Sequence, residues 1–152
     1  MLPTYSHKLI NLNSQYLTIG LLGVYETIKH FGYTLTDPFG NVSYTDTGVI
    51  FMEDCLELIN DIKDNFVKTT GYMANIEQIP GERAAAILQQ KDFIFFPDEV
   101  VDDLPLYGNQ WIPLGIQSTL YERISLSAIL DKACSGGSIL HINLDAPFNN
   151  FE

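Results

Sequence analysis

The chain has 152 residues, enough for one domain with a single core, and at 46% hydrophobic against 18% charged it is not a disordered segment. Nineteen acidic residues against eight basic ones give a formal charge of −11. With no cluster of Lys and Arg to neutralise phosphates, that balance excludes nucleic acid and an anionic membrane as partners.

Two cysteines, Cys55 and Cys134, are too few for a disulfide framework and form no CxxC metal pair. Met1–Lys8 lacks the charged-then-apolar layout of a signal peptide. The longest apolar stretch, Leu17–Tyr25, is broken by Thr18, Gly20 and Gly23 and falls short of a membrane span. A soluble, cytoplasmic chain with reduced thiols is expected.

Along the chain, Leu21, Val24, Ile28 and Phe31 fall at three- and four-residue spacing before Gly32, which predicts a helix over 18–31. Thr34–Thr47 has loop chemistry, with Asp37-Pro38 and Gly40-Asn41. Val49, Met52, Leu56, Ile59, Ile62 and Phe66 form one apolar stripe of a long helix, with Asp46 or Thr47 as its cap and Gly71 as its end. Met73–Ile79 reads as a strand stopped by Pro80-Gly81, and 82–90 as an Ala-rich helix. A loop holding Pro97, Asp98, Asp102, Asp103 and Pro105 leads to an expected second strand at Tyr107–Pro113. Thr119 and Glu122 have capping-box spacing and open a helix to about Ala133. Ser135-Gly136-Gly137 then turns into an expected strand at Ile139–Leu144. Strands joined through helices predict parallel pairing and an α/β architecture that is part of something larger.

The stretch Asn75–Ala85 carries the most chemistry. A strand ends, Pro80-Gly81 turns the chain, and a helix starts, so the amides of Gly81 to Ala84 face outward at the positive end of a helix dipole. An ordinary strand-to-helix connection, with Glu82 offsetting the dipole, is the competing reading. Gly20 and Gly23 do not make a dinucleotide fingerprint, because no acidic residue follows at the required distance. Cys134 has no His near it in sequence, and His141 lacks further ligands at workable spacing, with His7 and His30 distant and isolated. The pairs Asp98-Glu99 and Asp102-Asp103 read as solvated loop residues. No triad and no metal centre is expected.

Several stretches in family-like order match a known pattern: Tyr5-Ser6 with Ile10–Leu12, Gln15–Gly20 with Gly23 and Glu26, Asn75–Glu82, Tyr107–Gln110, and Ser135–Asn143. Together they resemble the anaerobic ribonucleoside-triphosphate reductases, the glycyl-radical branch of the ribonucleotide reductases. The resemblance implies a segment of the ten-stranded α/β barrel shared with pyruvate formate-lyase, residues 1–152 forming a single partial barrel domain. It implies that Pro80, Gly81, Glu82, Arg83 and Ala84 meet the phosphates of a ribonucleoside triphosphate, with Glu77 and Asn109 lining the active site.

In the family a glycyl radical oxidises a cysteine to a thiyl. The thiyl abstracts the ribose 3′ hydrogen so that the 2′ hydroxyl leaves, which supplies deoxyribonucleotides for DNA. The thiyl cysteine belongs to a finger loop upstream of the matched region, and the zinc cysteines and the radical glycine lie downstream. Neither Cys55 nor Cys134 matches the thiyl motif. This chain is therefore expected to hold no catalytic residue and no metal ligand of its own, with glycyl radical and zinc belonging to the full-length enzyme. Its expected partners are the triphosphate and either chains carrying the rest of the barrel or further copies of itself. The alternatives are a non-catalytic binding or interaction module that retains the barrel segment, and part of a glycyl-radical lyase. The Asn75–Glu82 stretch favours the reductase over the lyase.

Overall fold

A computed structural model describes residues 2–99 and 106–142. In chain order the elements are α1 (Pro3–Ser6), β1 (Tyr16–Leu21), α2 (Val24–His30), β2 (Thr34–Thr36), β3 (Val42–Tyr44), α3 (Asp46–Thr70), β4 (Met73–Gln78), α4 (Glu82–Phe95) and α5 (Leu120–Leu130). Short 3-10 turns occupy Leu12–Ser14 and Asp131–Ala133.

β1 and β4 pair in parallel, in register from Tyr16 opposite Met73 to Leu21 opposite Gln78. The chain after α5 runs along the other edge of β4, where Gly137 makes a parallel bridge to Glu77. Gly136 N–H donates to the Ile76 carbonyl at 2.8 Å and Gln78 N–H to the Gly137 carbonyl at 3.2 Å. Parallel strands reached through helices are what the alternating pattern predicts.

Side chains alternate across a strand, so Ile19, Leu21 and Ile76 point to one face of this sheet. They pack there with Tyr25 and Ile28 of α2, Leu56 of α3 and Leu130 of α5. Trp111, Ile112 and Cys134 complete the same core. The opposite face carries Gly20, Asn75 and Glu77, and Gly20 is exposed while Asn75 and Glu77 are half-buried. Helices thus cover one face of the sheet and polar residues line the other.

Local signals explain the helices. Thr45 caps α3 by accepting the Gly48 amide at 2.9 Å, one residue before the expected Asp46. Gly71 ends α3 at φ 74°, a conformation glycine adopts freely. In α5 both halves of the capping box form, Glu122 N–H to Thr119 Oγ1 at 3.1 Å and Thr119 N–H to Glu122 Oε2 at 3.3 Å.

Four expectations need correction. Residues 16–21 are a strand, and the helix begins only at Val24, after Gly23 at φ 76°. Within 34–47 only the middle is a turn: Thr34–Thr36 and Val42–Tyr44 pair as the antiparallel β2–β3 hairpin, and α3 starts at Asp46. Asp37 holds that turn by accepting the amides of Phe39 and Asn41, each at 2.8 Å. Residues 107–113 form no strand: Gly108 bonds to α2, and the Trp111 carbonyl accepts the Tyr44 hydroxyl. Arg123 takes the carbonyls of Ile112, Pro113 and Ile116, and with those groups used no ladder is left to form. Residues 139–142 are irregular as well, with the Ile139 amide on Gln78 Oε1 at 2.7 Å and the His141 amide on Gln110 Oε1 at 2.9 Å. The rest of that expected strand, and the Asp102-Asp103 and Pro105 part of the loop, lie outside the described residues.

Candidate functional site

The strand–turn–helix at Gln78–Ala85 starts from a strand that Pro80 cannot continue, since it has no amide for the ladder. Gly81 N–H donates to the Ile79 carbonyl at 2.9 Å, which makes the turn tight. Its amide is therefore used internally, and the expected set of free amides shrinks to Glu82, Arg83 and Ala84. These open the 14-residue α4, no side chain of Gly81 caps them, and their own side chains are exposed. First-turn amides of a helix have no partner within it, and the dipole adds positive potential there. Ala85 is the first residue of the turn to be buried.

Opposite this helix start lies the Tyr107–Gln110 segment. A cleft of about 280 Å³ separates them, lined by Glu82, Ala85, Asn109, Gln110 and His141 among others. Asn109 Nδ2 donates to the Ile79 carbonyl at 3.1 Å, so Asn109 meets the turn. Glu77 stands apart, two residues before Ile79 on the polar sheet face. A Cβ at Gly136 would come within 2.4 Å of Asn75 Nδ2 and 2.7 Å of Glu77 Oε2, so both side chains lie directly over that glycine. Asn75 Oδ1 is buried there without a hydrogen-bond partner among the described residues.

A larger cleft, about 630 Å³, lies beside α2 and is lined by Glu26, His30, Asp92, Glu99 and Tyr107, with no Lys or Arg. His30 and Glu99 pair across it at 3.5 Å, and the Tyr107 hydroxyl donates to Asp92 at 2.5 Å. Burial, then that bond and charge, push the Tyr107 hydroxyl up to about 12. The smaller cleft has one acid, Glu82, and likewise no Lys or Arg in its lining.

Both thiols are pushed toward their protonated forms. Burial, then Asp131, pushes Cys134 up to about 11, and burial, then Asp54, raises Cys55. A thiol so raised is protonated at neutral pH. No group of three His, Cys, Asp or Glu side chains is placed to hold a metal ion among the described residues.

Two residues whose place in the fold the sequence does not give are His141 and Glu26. His141 joins the cleft from 60 positions beyond Gly81, and nothing local signals that approach. Glu26 does leave a signal: it is an acid at a helix position flanked by the buried Val24, Tyr25 and Ile28.

A sequence model of the anaerobic ribonucleoside-triphosphate reductase family matches residues 3–152. The chain is similar to the anaerobic ribonucleotide reductase of Thermotoga maritima solved with dATP bound in the specificity site, at 40% identity and a TM-score of 0.84 over 95% of this chain and 24% of that one. The same reductase in complex with dATP and CTP superposes at a TM-score of 0.85 and 39% identity, covering 96% of this chain and 24% of that chain. A further structure described as an anaerobic ribonucleotide reductase gives 0.87 at 38% identity, covering 97% and 23% respectively. The chain spans about a quarter of the length of these relatives. No match was found among curated proteins.

Proposed function

The chain belongs to the anaerobic ribonucleoside-triphosphate reductase family, and from that premise we propose that it is a segment of the reductase's catalytic barrel that contributes contacts to the substrate's phosphates. One observation carries this reading: the uncapped amides of Glu82, Arg83 and Ala84 open α4 beside a cleft whose other wall is anchored to the same turn by Asn109. Amides fixed by a helix need no reordering to receive an anion, and the dipole favours negative charge. Arg83 is exposed next to them and adds a positive charge within reach.

The sheet supports the barrel segment. Parallel strands with helices on one face and Gly20, Asn75 and Glu77 on the other have the layering of a barrel wall, with the polar face inward. Glu77 then lines the active site from β4, as Asn109 does from the loop. The glycyl radical and the zinc belong to polypeptide outside these residues, as do the radical chemistry and its cysteine. The expected ligand class is a ribonucleoside triphosphate, in keeping with the CTP in the Thermotoga maritima complex. The compartment is cytoplasmic.

Calorimetric titration tests the phosphate reading. CTP is expected to bind saturably and cytidine not to bind, and Ala84→Glu, which sets a carboxylate among the amides, is expected to abolish CTP binding. Equal binding of CTP and cytidine, or an Ala84→Glu variant that binds CTP like the parent chain, would overturn it.

A further inference from the structure

Glu26 is 4% exposed, a carboxylate held in the core beside Tyr25 and Ile28. Its Oε1 accepts the Gly108 amide at 2.9 Å, while the Gly108 carbonyl accepts the Gly23 amide at 2.8 Å. Both backbone groups of Gly108 are thus held by the start of α2. The fit is close: a Cβ on Gly108 would lie 2.6 Å from the Pro113 ring and 3.5 Å from Glu26 Oε1. On Gly23, at φ +76°, it would meet the Tyr107 ring at 3.4 Å. The next residues reach across the smaller cleft, Asn109 to the Ile79 carbonyl at 3.1 Å and Gln110 to the His141 amide at 2.9 Å.

We infer that Glu26 is a positioning residue: by fixing Gly108 it holds Asn109 against the turn that opens α4 and Gln110 against His141, and so sets the shape of the cleft. The functional part of this inference rests on the phosphate reading above; the clamp itself does not.

The clamp is sensitive to protonation. Glu26 Oε2 is buried without a hydrogen-bond partner among the described residues. Burial raises the carboxyl's pKa against the opposing pull of its own amide, the Gly108 amide and Lys29. Its charge raises the hydroxyls of Tyr25, Tyr44 and Tyr107, and His30, Asp92 and Glu99 share its cleft. An ionised carboxylate accepts the Gly108 amide more strongly than a protonated one, so the clamp tightens as pH rises through the raised pKa.

Nuclear magnetic resonance of the isotopically labelled chain, with CTP titrations alongside, tests this. In the parent chain the Gly108 amide and the Asn109 side-chain amide are expected to move together along one titration whose midpoint lies above the ordinary carboxylate range. Glu26→Gln keeps an acceptor but not the charge, so it should lose that titration and keep CTP affinity within about twofold. Glu26→Ala orphans the Gly108 amide, so the Asn109 signal should shift to that of a free amide and CTP affinity should fall roughly tenfold. An Asn109 signal unmoved in a folded Glu26→Ala chain, or a titration that persists in Glu26→Gln, would overturn the inference. Should Glu26→Ala not fold, the Glu26→Gln titration decides alone. A parent chain that binds no CTP defeats the phosphate reading, while the Asn109 response still decides the role of Glu26.

Discussion

Glu26 occupies a helix position where the spacing of Val24, Tyr25 and Ile28 asks for an apolar side chain, and its burial has a consequence for stability. A carboxyl in the unfolded chain titrates near pKa ~4.3, and in the folded chain burial raises that of Glu26. Below the unfolded value both states hold the proton, and the stabilisation of the protonated form is fully present. As pH rises the unfolded state ionises first, and the contribution is lost progressively until the folded pKa is passed. Gln resembles the protonated acid and does not titrate. Urea midpoints of Glu26→Gln and the parent chain should therefore nearly coincide at about pH 4, with the variant gaining relative stability toward about pH 7. A difference that stays constant with pH would contradict the raised pKa. Gly136 shows the opposite kind of constraint, legible in the sequence only as a turn. What demands glycine there is the approach of Asn75 and Glu77 from a strand 59 and more residues away, which no local pattern encodes.

The elements legible in the sequence are those whose ends are set by neighbours along the chain. The Thr119–Glu122 box, the Gly71 stop and the stripe of α3 involve contacts within a few residues, so residue order alone reveals them. β1 was obscured because two periods overlap: Leu17, Ile19 and Leu21 alternate, while Leu21, Val24 and Ile28 follow helical spacing. Gly23, at φ 76°, is where one period hands over to the other. The 107–113 segment has strand composition but gives its backbone to Glu26, Tyr44 and Arg123, partners the sequence does not place beside it. β1 also leaves an edge open. It pairs with β4 on one edge, no described strand covers the other, and Tyr16 and Leu17 are 61% and 54% exposed. An open edge with few charges recruits another strand, so light scattering at micromolar concentration should find assemblies larger than 17.1 kDa. A sharp monomer with a cooperative melt would show that the chain closes on itself.

At the scale of the molecule, one side of the site was readable and the other was not. The Pro80-Gly81 turn and the helix after it follow from residue types at fixed spacing. That Asn109 would meet the Ile79 carbonyl, and that His141 would line the same cleft, depends on α2, α3 and α5 packing on one face of the β1–β4 sheet. Such packing brings together segments about 30 and 60 residues apart, a separation that no local pattern encodes. The face opposite that core carries Gly20, Asn75 and Glu77. The proposed anion site is the start of α4, beside the smaller cleft. The most direct measurement is therefore where an anion lands. Inorganic triphosphate titrated into the isotopically labelled chain, followed by nuclear magnetic resonance, should shift the amides of Glu82, Arg83 and Ala84 first and saturably, with the Asn109 side chain following. Shifts centred on the start of α3 or α5, or no saturable shift at all, would contradict a phosphate site at the start of α4.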